Sequence, residues 1–215
     1  MRNSLSMKSQ DVVLLLKLVS LERQQGAALP RHRAELGIPD DWRGWATAPE
    51  DQAPPAVAAD MYSVRALEES TGISKSEVSG SLRRCLDVGL AKAERGSGLP
   101  RTNTRALLGF LMHGLKYVYP ARAGALVRGI PTAHAAPVLA GRLLSAGEHM
   151  HVWEDAHGSV LGQRVEPLHK GVPHAVRRDA TLYAMLALVD AVRLGQERES
   201  AVAGKLLAEY LREPT

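Results

Sequence analysis

The 215-residue sequence has little cysteine and few aromatic residues. Its single cysteine, Cys85, excludes a disulfide or a cysteine-rich zinc cluster within the chain and fits a reducing compartment such as the cytoplasm. Aromatic residues form 4% of the sequence and include one Phe, so few rings are present on which the bases of a single nucleic-acid strand could stack. A secreted disulfide scaffold and a single-strand-binding protein are therefore disfavoured.

Long hydrophobic runs are also lacking. The two longest, at 12–16 and 182–189, fall far short of the roughly 20 residues that cross a bilayer, so we expect no membrane-spanning helix. Hydrophobic residues at 45% and charged residues at 23% are close to globular averages, which excludes a disordered or fibrous chain. The formal net charge of +4 permits a polyanionic partner without requiring one.

The spacing of apolar residues predicts a mainly α fold of the α+β class. Apolar residues recur at helical spacing in four segments, 8–25, 104–119, 179–194 and 197–212. Strands are expected at 148–153 and 159–165, joined as a small hairpin by 155–158. The stretch 121–140 is rich in Ala, Gly and Pro and is expected to be irregular.

Composition divides the chain into two predicted domains, 1–119 and 120–215. Within the first, the segment 26–60 carries five of the twelve prolines and twice as many acidic as basic residues. We expect it to be an insertion or flexible linker that stays away from phosphate. Its two tryptophans, Trp42 and Trp45, are expected to hold it against the body of the protein by burying their rings.

The segment 62–90 has the pattern of two short helices joined by a tight turn. Ser63 is placed to cap a helix over 64–69, and Gly72 permits the positive φ that ends it. Ser74 is placed to cap a second helix, whose inward residues are expected to be Val78, Leu82, Cys85 and Leu86. Two short helices joined by a glycine-containing turn form a helix-turn-helix unit.

The segment 62–86 reads Tyr-Ser-Val-Arg-Ala-Leu-Glu-Glu-Ser-Thr-Gly-Ile-Ser-Lys-Ser-Glu-Val-Ser-Gly-Ser-Leu-Arg-Arg-Cys-Leu. This stretch resembles the winged helix-turn-helix of MarR-like bacterial transcriptional regulators, and the likeness extends over about 8–105. The resemblance implies a wing, with a strand at 91–94 and a flexible tip at 95–98. Many members of that family carry a small alanine at the position of Glu68, where the two helices approach each other, so Glu68 departs from the family pattern.

The residue types in this region predict an interface with double-stranded DNA. A recognition helix needs short polar residues near its N-terminus to approach base edges, and basic residues to neutralise phosphates. The segment 62–105 carries eight basic and five acidic residues, which fits a surface that faces phosphate. Ten residues are predicted to contact DNA: Ser63, Arg65, Ser74, Lys75, Ser76, Ser79, Arg83, Arg84, Arg95 and Arg101.

These features predict a cytoplasmic, sequence-specific transcriptional regulator, most simply a repressor, with no enzymatic activity and no cofactor. Regulators of this type usually form homodimers, because one short helix reads few base pairs and two-fold symmetry doubles the site. The first helix together with the last two is the expected dimer seam. The sequence indicates neither the operator nor an effector.

Three alternatives remain open. The helical pair could instead dock a protein partner, as an antitoxin-like module would. His149, His151 and His157 could hold a metal ion, because His-x-His on a strand places both rings on one face. No recognised metal-site spacing accompanies them, so scattered structural histidines are the favoured interpretation. Finally, the stretch 128–134 could form a small pocket or a docking loop.

Overall fold

The computed structural model describes residues 6–26, 43, 45, 60–142, 149–195 and 197–212. The helices in this part of the chain are α1 (Ser9–Gly26), α2 (Val64–Thr71), α3 (Lys75–Asp87), α4 (Thr104–His113), α5 (Leu115–Val118), α6 (Val172–Val176), α7 (Ala180–Leu194) and α8 (Glu197–Tyr210). The strands are β1 (Ala91–Ala93), β2 (Pro100–Thr102), β3 (Ala123–Thr132), β4 (His151–Glu154) and β5 (Val160–Val165). The predicted α+β class is confirmed.

Helix α1 lies at the centre of the core because it is apolar on more than one side. Residues 12–16 and Leu18 are completely shielded from solvent, and α3, α7 and β2 pack around the helix. Lys17 and Ser20 bond to the buried carboxylate of Asp179, just ahead of α7, at 2.8 Å and 2.7 Å. The chain therefore covers α1 itself, and the prediction that α1 forms a dimer seam is wrong.

One continuous core joins the two halves of the chain. Leu67 and Cys85 from the first half belong to the same cluster of buried side chains as Met185 and Leu207 from the second. Thirteen of the fifteen residues of α7 are buried, so this helix is surrounded by protein on nearly all sides. Packing thus crosses the boundary predicted at 119/120.

Helices α2 and α3 are joined by a tight turn. Ser63 caps α2 by accepting a hydrogen bond from the Ala66 amide at 3.2 Å. Gly72 ends α2 with a φ of 68°, the left-handed conformation that glycine adopts most readily. After α3, β1 and β2 form a two-stranded antiparallel ribbon in which Lys92 pairs with Arg101. The two predicted helices, the turn at Gly72 and the strand expected at 91–94 are confirmed, and β2 is a second strand that was not predicted.

Strands β3, β4 and β5 form a small closed sheet. β3 pairs antiparallel with β4 along 129–132 and with β5 along 123–129, and β4 and β5 meet in parallel. The predicted hairpin is therefore wrong, because β4 and β5 run in the same direction. The prediction that 121–140 is irregular is also wrong. β3 occupies 123–132, where two glycines and a proline obscure the strand pattern.

Close approach of backbones explains the glycines of this sheet. A Cβ on Gly129 would lie 2.0 Å from the carbonyl oxygen of Trp153. A Cβ on Gly158 would lie 2.1 Å from the carbonyl carbon of Gly129. Backbone segments therefore approach Gly129 and Gly158 too closely for either position to carry a side chain.

The remaining helix predictions are confirmed with one change. The helix expected at 104–119 is broken at Gly114 into α4 and α5. Asn103 caps α4 and Asp179 caps α7 through their side chains, and Gly195 separates α7 from α8. Within the described part of the chain, no helix combines the length and the apolar character required to cross a membrane.

Trp45 anchors its segment as predicted. Its side chain is buried and meets the ring of Tyr183 edge to face, with ring centres 5.5 Å apart. Its backbone pairs with Gly158 in an isolated bridge. Trp42 and most of the predicted insertion at 26–60 lie outside the described residues.

Candidate nucleic-acid interface

Helix α3 presents one face to the core and the other to solvent. Val78, Ser81 and Cys85 are completely buried. Burial raises the pKa of the Cys85 thiol to about 12, so the thiol stays protonated at neutral pH. The opposite face carries exposed short polar and basic side chains: Ser74, Lys75, Ser76, Ser79 and Arg83.

Glu68 caps α3. Its carboxylate accepts a hydrogen bond from the backbone N–H of Lys75 at 3.2 Å and lies 3.7 Å from the Lys75 ammonium. Ser74 has the extended backbone of an N-cap, but its hydroxyl bonds to the Ser76 hydroxyl and not to a backbone N–H of α3. The cap predicted from its side chain is therefore wrong. The helix dipole favours a carboxylate at this end. Glu68 therefore holds the start of α3 in place.

Arg84 does not face outward. Its guanidinium donates to both carboxylate oxygens of Asp11, at 2.6 Å and 2.9 Å, and to the hydroxyl of Ser81 at 3.0 Å. The hydrogen bonds to Asp11 raise the pKa of Arg84. The prediction that Arg84 points toward DNA is wrong, because the residue fastens α3 to α1. Arg84 therefore leaves the candidate interface.

Arg101 is also held within the protein. Its guanidinium donates to the Tyr62 hydroxyl at 3.0 Å and to Glu94 at 3.3 Å, and it lies 3.7 Å from Glu22. These three partners belong to different segments, so Arg101 fastens β2 to the body of the protein. With a side chain only 19% exposed, it has little surface for a phosphate. We correct the predicted interface by removing Arg101 as well.

The other eight predicted contact residues are exposed. One of them is Ser63, whose hydroxyl caps α2. Arg95 lies at the tip of the β1–β2 ribbon, where Gly96 and Gly98 have positive φ values. Lys92, on β1, is a further exposed cation that the site prediction omitted. The sequence did carry a signal for it. Lys92 follows Ala91, which faces inward, and successive residues of a strand face opposite sides, so Lys92 is expected to face outward.

The exposed surface of 61–105 is more basic than its sequence. Six basic and two acidic side chains are exposed in this range. The other three acids, Glu68, Glu77 and Glu94, are half-buried and lie close to a lysine or arginine. Glu68 also offsets the charge of Lys75, so five other exposed cations, Arg65, Arg83, Lys92, Arg95 and Arg105, face two exposed acids, Glu69 and Asp87, and the surface is predominantly cationic.

The segment 169–174 supports the turn between α2 and α3. A Cβ on Gly171 would lie 2.4 Å from the carbonyl oxygen of Thr71, and the His174 ring donates to the Glu69 carbonyl oxygen at 2.8 Å. These contacts are made to the backbone of α2 and the turn. The outward side chains of α3 remain exposed beside them.

The three histidines considered as an alternative metal site do not come together. His149 is exposed, and His157 bonds to Arg177 at 3.0 Å. His151 lies beside His134 instead. Over the described ranges, no three His, Cys, Asp or Glu side chains are grouped so that they could hold a metal ion, so the three-histidine hypothesis is wrong.

No protein-family model, curated protein or solved structure matches the chain.

Proposed function

We propose that this protein is a sequence-specific transcriptional regulator that binds double-stranded DNA through a winged helix-turn-helix. In this proposal α3 is the recognition helix and the β1–β2 ribbon is the wing. The observation that carries it is the exposed face of α3, on which small hydroxyl side chains alternate with cations. Short side chains allow a helix to approach base edges in the major groove, which is about 12 Å wide.

Two further exposed cations lie on the elements that adjoin α3 along the chain. Arg65 lies in the first turn of α2, and Arg95 lies at the ribbon tip, so they bracket α3 along the chain. Contacts to phosphate fix the position of a protein on DNA, while base contacts provide specificity. Lys75 and Arg83 lie on α3 itself, one near each end.

The proposed regulator acts in the cytoplasm as a homodimer and, most simply, as a repressor. Two copies double the number of base pairs read, which a single short recognition helix needs. Because other parts of the same chain cover α1, the proposed homodimer uses a surface other than α1.

Duplex selection followed by salt titration tests the proposal. The full chain is used to select sequences from a random duplex library, and binding is then measured by fluorescence anisotropy between about 50 and 200 mM salt. The logarithm of the binding constant should fall linearly with the logarithm of salt concentration, by about 0.9 for each neutralised phosphate. Failure to retain any duplex at low salt overturns the proposal.

A pair of lysine variants localises the interface. Lys75→Gln should weaken binding and make the slope of the log–log salt plot shallower by about 0.9, the value for one phosphate contact. Lys205→Gln is the matched control, since Lys205 is exposed on α8, which packs against α7 and α4. Equal affinities for the two variants would remove α3 from the interface.

A protein-docking module is the second candidate, and exposed apolar side chains at the end of α3 favour it. Leu86 is 42% exposed, contrary to the predicted inward position, and Val88 is 41% exposed. Large apolar side chains at a surface are typical of protein contacts when they are grouped. A salt-insensitive complex with a protein, lost in Leu86→Ser and retained in Lys75→Gln, would favour this function.

A further inference from the structure

Two histidine rings lie side by side at the end of the small sheet. His134 belongs to the 3₁₀ turn Ala133–Ala135 that follows β3, and His151 begins β4. Their ring centres are 4.6 Å apart and their planes are inclined by 63°. The topology of the sheet creates this pair, because His151 is opposite Thr132 in the β3–β4 pairing.

Each ring has a nitrogen that is shielded from solvent and makes no hydrogen bond within the described residues. These atoms are Nε2 of His134 and Nδ1 of His151. Buried polar atoms in native proteins nearly always have a partner. Two such nitrogens on adjacent rings point to one ligand that both can bind.

The chemistry of the two rings selects the class of ligand. Burial, and then the neighbouring His134, lower the pKa of His151, so its ring is neutral at pH 7 and offers a lone pair. Neutral imidazole nitrogens suit Zn²⁺, Cu²⁺ and Ni²⁺, whereas Mg²⁺ and Ca²⁺ prefer oxygen ligands. We propose that His134 and His151 together bind one divalent transition-metal ion through these two nitrogens.

The distance between the rings fits a shared ion. Metal–nitrogen bonds to histidine are about 2.0–2.1 Å, so two rings on one ion at roughly a right angle have centres about 4.5–5 Å apart. The observed separation of 4.6 Å lies in this range.

The surroundings hold both rings in place. Ala133, directly before His134, has a φ of 50° and is the one non-glycine residue with positive φ in the described part of the chain. Thr132, the cross-strand partner of His151, and Trp153, two residues after it on β4, donate hydrogen bonds to the buried carboxylate of Asp190 at 3.0 Å and 2.7 Å. A rigid frame of this kind keeps ligands close to the geometry that a metal requires.

Metal titration of the full chain, freed of metal with a chelator, tests the proposal without DNA. CuCl₂, NiCl₂, ZnCl₂ and MgCl₂ are titrated by calorimetry and by quenching of tryptophan fluorescence, to which Trp153, two residues after His151, contributes with Trp42 and Trp45. One ion should bind per chain, with Cu²⁺ tightest, Ni²⁺ and Zn²⁺ weaker and Mg²⁺ unbound. Because no DNA is present, the result is independent of the proposed DNA-binding function.

Histidine variants assign the ligands. His134→Gln and His151→Gln should each weaken binding by about tenfold or more. His113→Gln and His157→Gln are the controls, since both residues are exposed, on α4 and in the 155–159 loop respectively, and both variants should bind like the wild type. Circular dichroism verifies folding, and the Cu²⁺ paramagnetic-resonance spectrum of the wild type should show coupling to two imidazole nitrogens, which tests the pair without any substitution.

Three results would overturn the proposal. These are the absence of one-to-one binding by the wild type, wild-type affinity in both ligand variants, or loss of the metal in His157→Gln alone. The two rings would then be an edge-to-face packing contact only.

Discussion

Asp11 and Arg84 form a buried ion pair that ties α1 to the inner face of α3. Asp11 is completely shielded from solvent, and the Arg84 guanidinium donates to its two oxygens at 2.6 Å and 2.9 Å. The bidentate geometry fixes the relative position of the two helices. The orientation of the proposed recognition helix therefore depends on a pair that never meets DNA.

Asp11→Asn should destabilise the fold. Removing one partner of a buried ion pair leaves the other charge uncompensated and costs about 3–5 kcal/mol. We expect about 3 kcal/mol, the low end of that range, because Glu77 lies 3.8 Å from Arg84. Urea unfolding measures the change, and Asp87→Asn, an exposed position on α3, is the control. Equal unfolding free energies for the two variants would contradict the structural role of Asp11.

Arg83 and Arg84 are neighbours in sequence but should respond oppositely to substitution. Arg83 is exposed, so Arg83→Gln should leave the unfolding free energy unchanged, weaken duplex binding and reduce the salt slope by about 0.9. Arg84→Gln should lower the unfolding free energy, because it strands the buried Asp11 carboxylate. Urea unfolding and anisotropy on the same preparations measure both effects. Similar stability losses for the two variants would show that the assignment of faces on α3 is wrong.

The buried carboxylate of Asp179 should make stability depend on acid pH. Burial alone would raise the pKa of Asp179, but the charge and hydrogen bond of Lys17, with hydrogen bonds from the Leu182 amide and the Ser20 hydroxyl, hold it below its usual value. A carboxyl group with a lowered folded-state pKa stabilises the fold fully above its unfolded-state pKa of about 3.9. That contribution is lost as the pH falls through the folded-state value.

Asp179→Asn should therefore cost about 3–5 kcal/mol at neutral pH, and the difference from wild type should narrow below about pH 4. Asparagine keeps the cap of α7, so the change isolates the charge. Urea unfolding at a series of pH values provides the comparison, with Asp87→Asn again as the exposed control. A difference that does not vary with pH would show that the charge of Asp179 is not the cause.

Gly171 should not tolerate a side chain. A Cβ there would lie 2.4 Å from the Thr71 carbonyl oxygen and 3.2 Å from the Cα of Gly72, so the segment that supports the turn would have to move away. We expect Gly171→Ala to lower the unfolding free energy by about 1–3 kcal/mol, as overpacking does.

Gly109→Ala is the matched control. Gly109 is exposed within α4 with no neighbour within reach of a Cβ, so this change should raise stability by about 0.5–1 kcal/mol. Equal effects of the two substitutions would contradict the close contact.

Local patterns were sufficient for the helices and for the turn at Gly72. Capping and apolar spacing act within a few residues, so α1, α2, α3, α7 and α8 could be predicted. β3 was missed because its pattern is interrupted by Gly124, Gly129 and Pro131. Gly129 has to be a glycine because a Cβ there would lie 2.0 Å from the Trp153 carbonyl oxygen on β4. β3 forms a strand because it pairs with β4 and β5, and pairing between distant segments is not visible in a local pattern.

Only part of the candidate interface could be predicted, because it too depends on contacts between distant residues. Residue type and helical spacing placed Lys75 and Arg83 on an exposed face, and the structure agrees with both positions. The same reasoning could not separate Arg83 from Arg84. Arg84 is bound to a carboxylate 73 positions earlier in the chain.

The amino-acid sequence alone determined where most helices begin and end, the left-handed turn at Gly72 and the small polar side chains of α3. Those features depend on backbone sterics and on hydrogen bonds between near neighbours. Only the tertiary structure decided which cations remain free, which strands run parallel and which two histidines meet. Each of these depends on contacts between residues far apart in the chain. Such contacts bury polar groups away from water, and a buried charge or ring nitrogen without a partner then costs free energy.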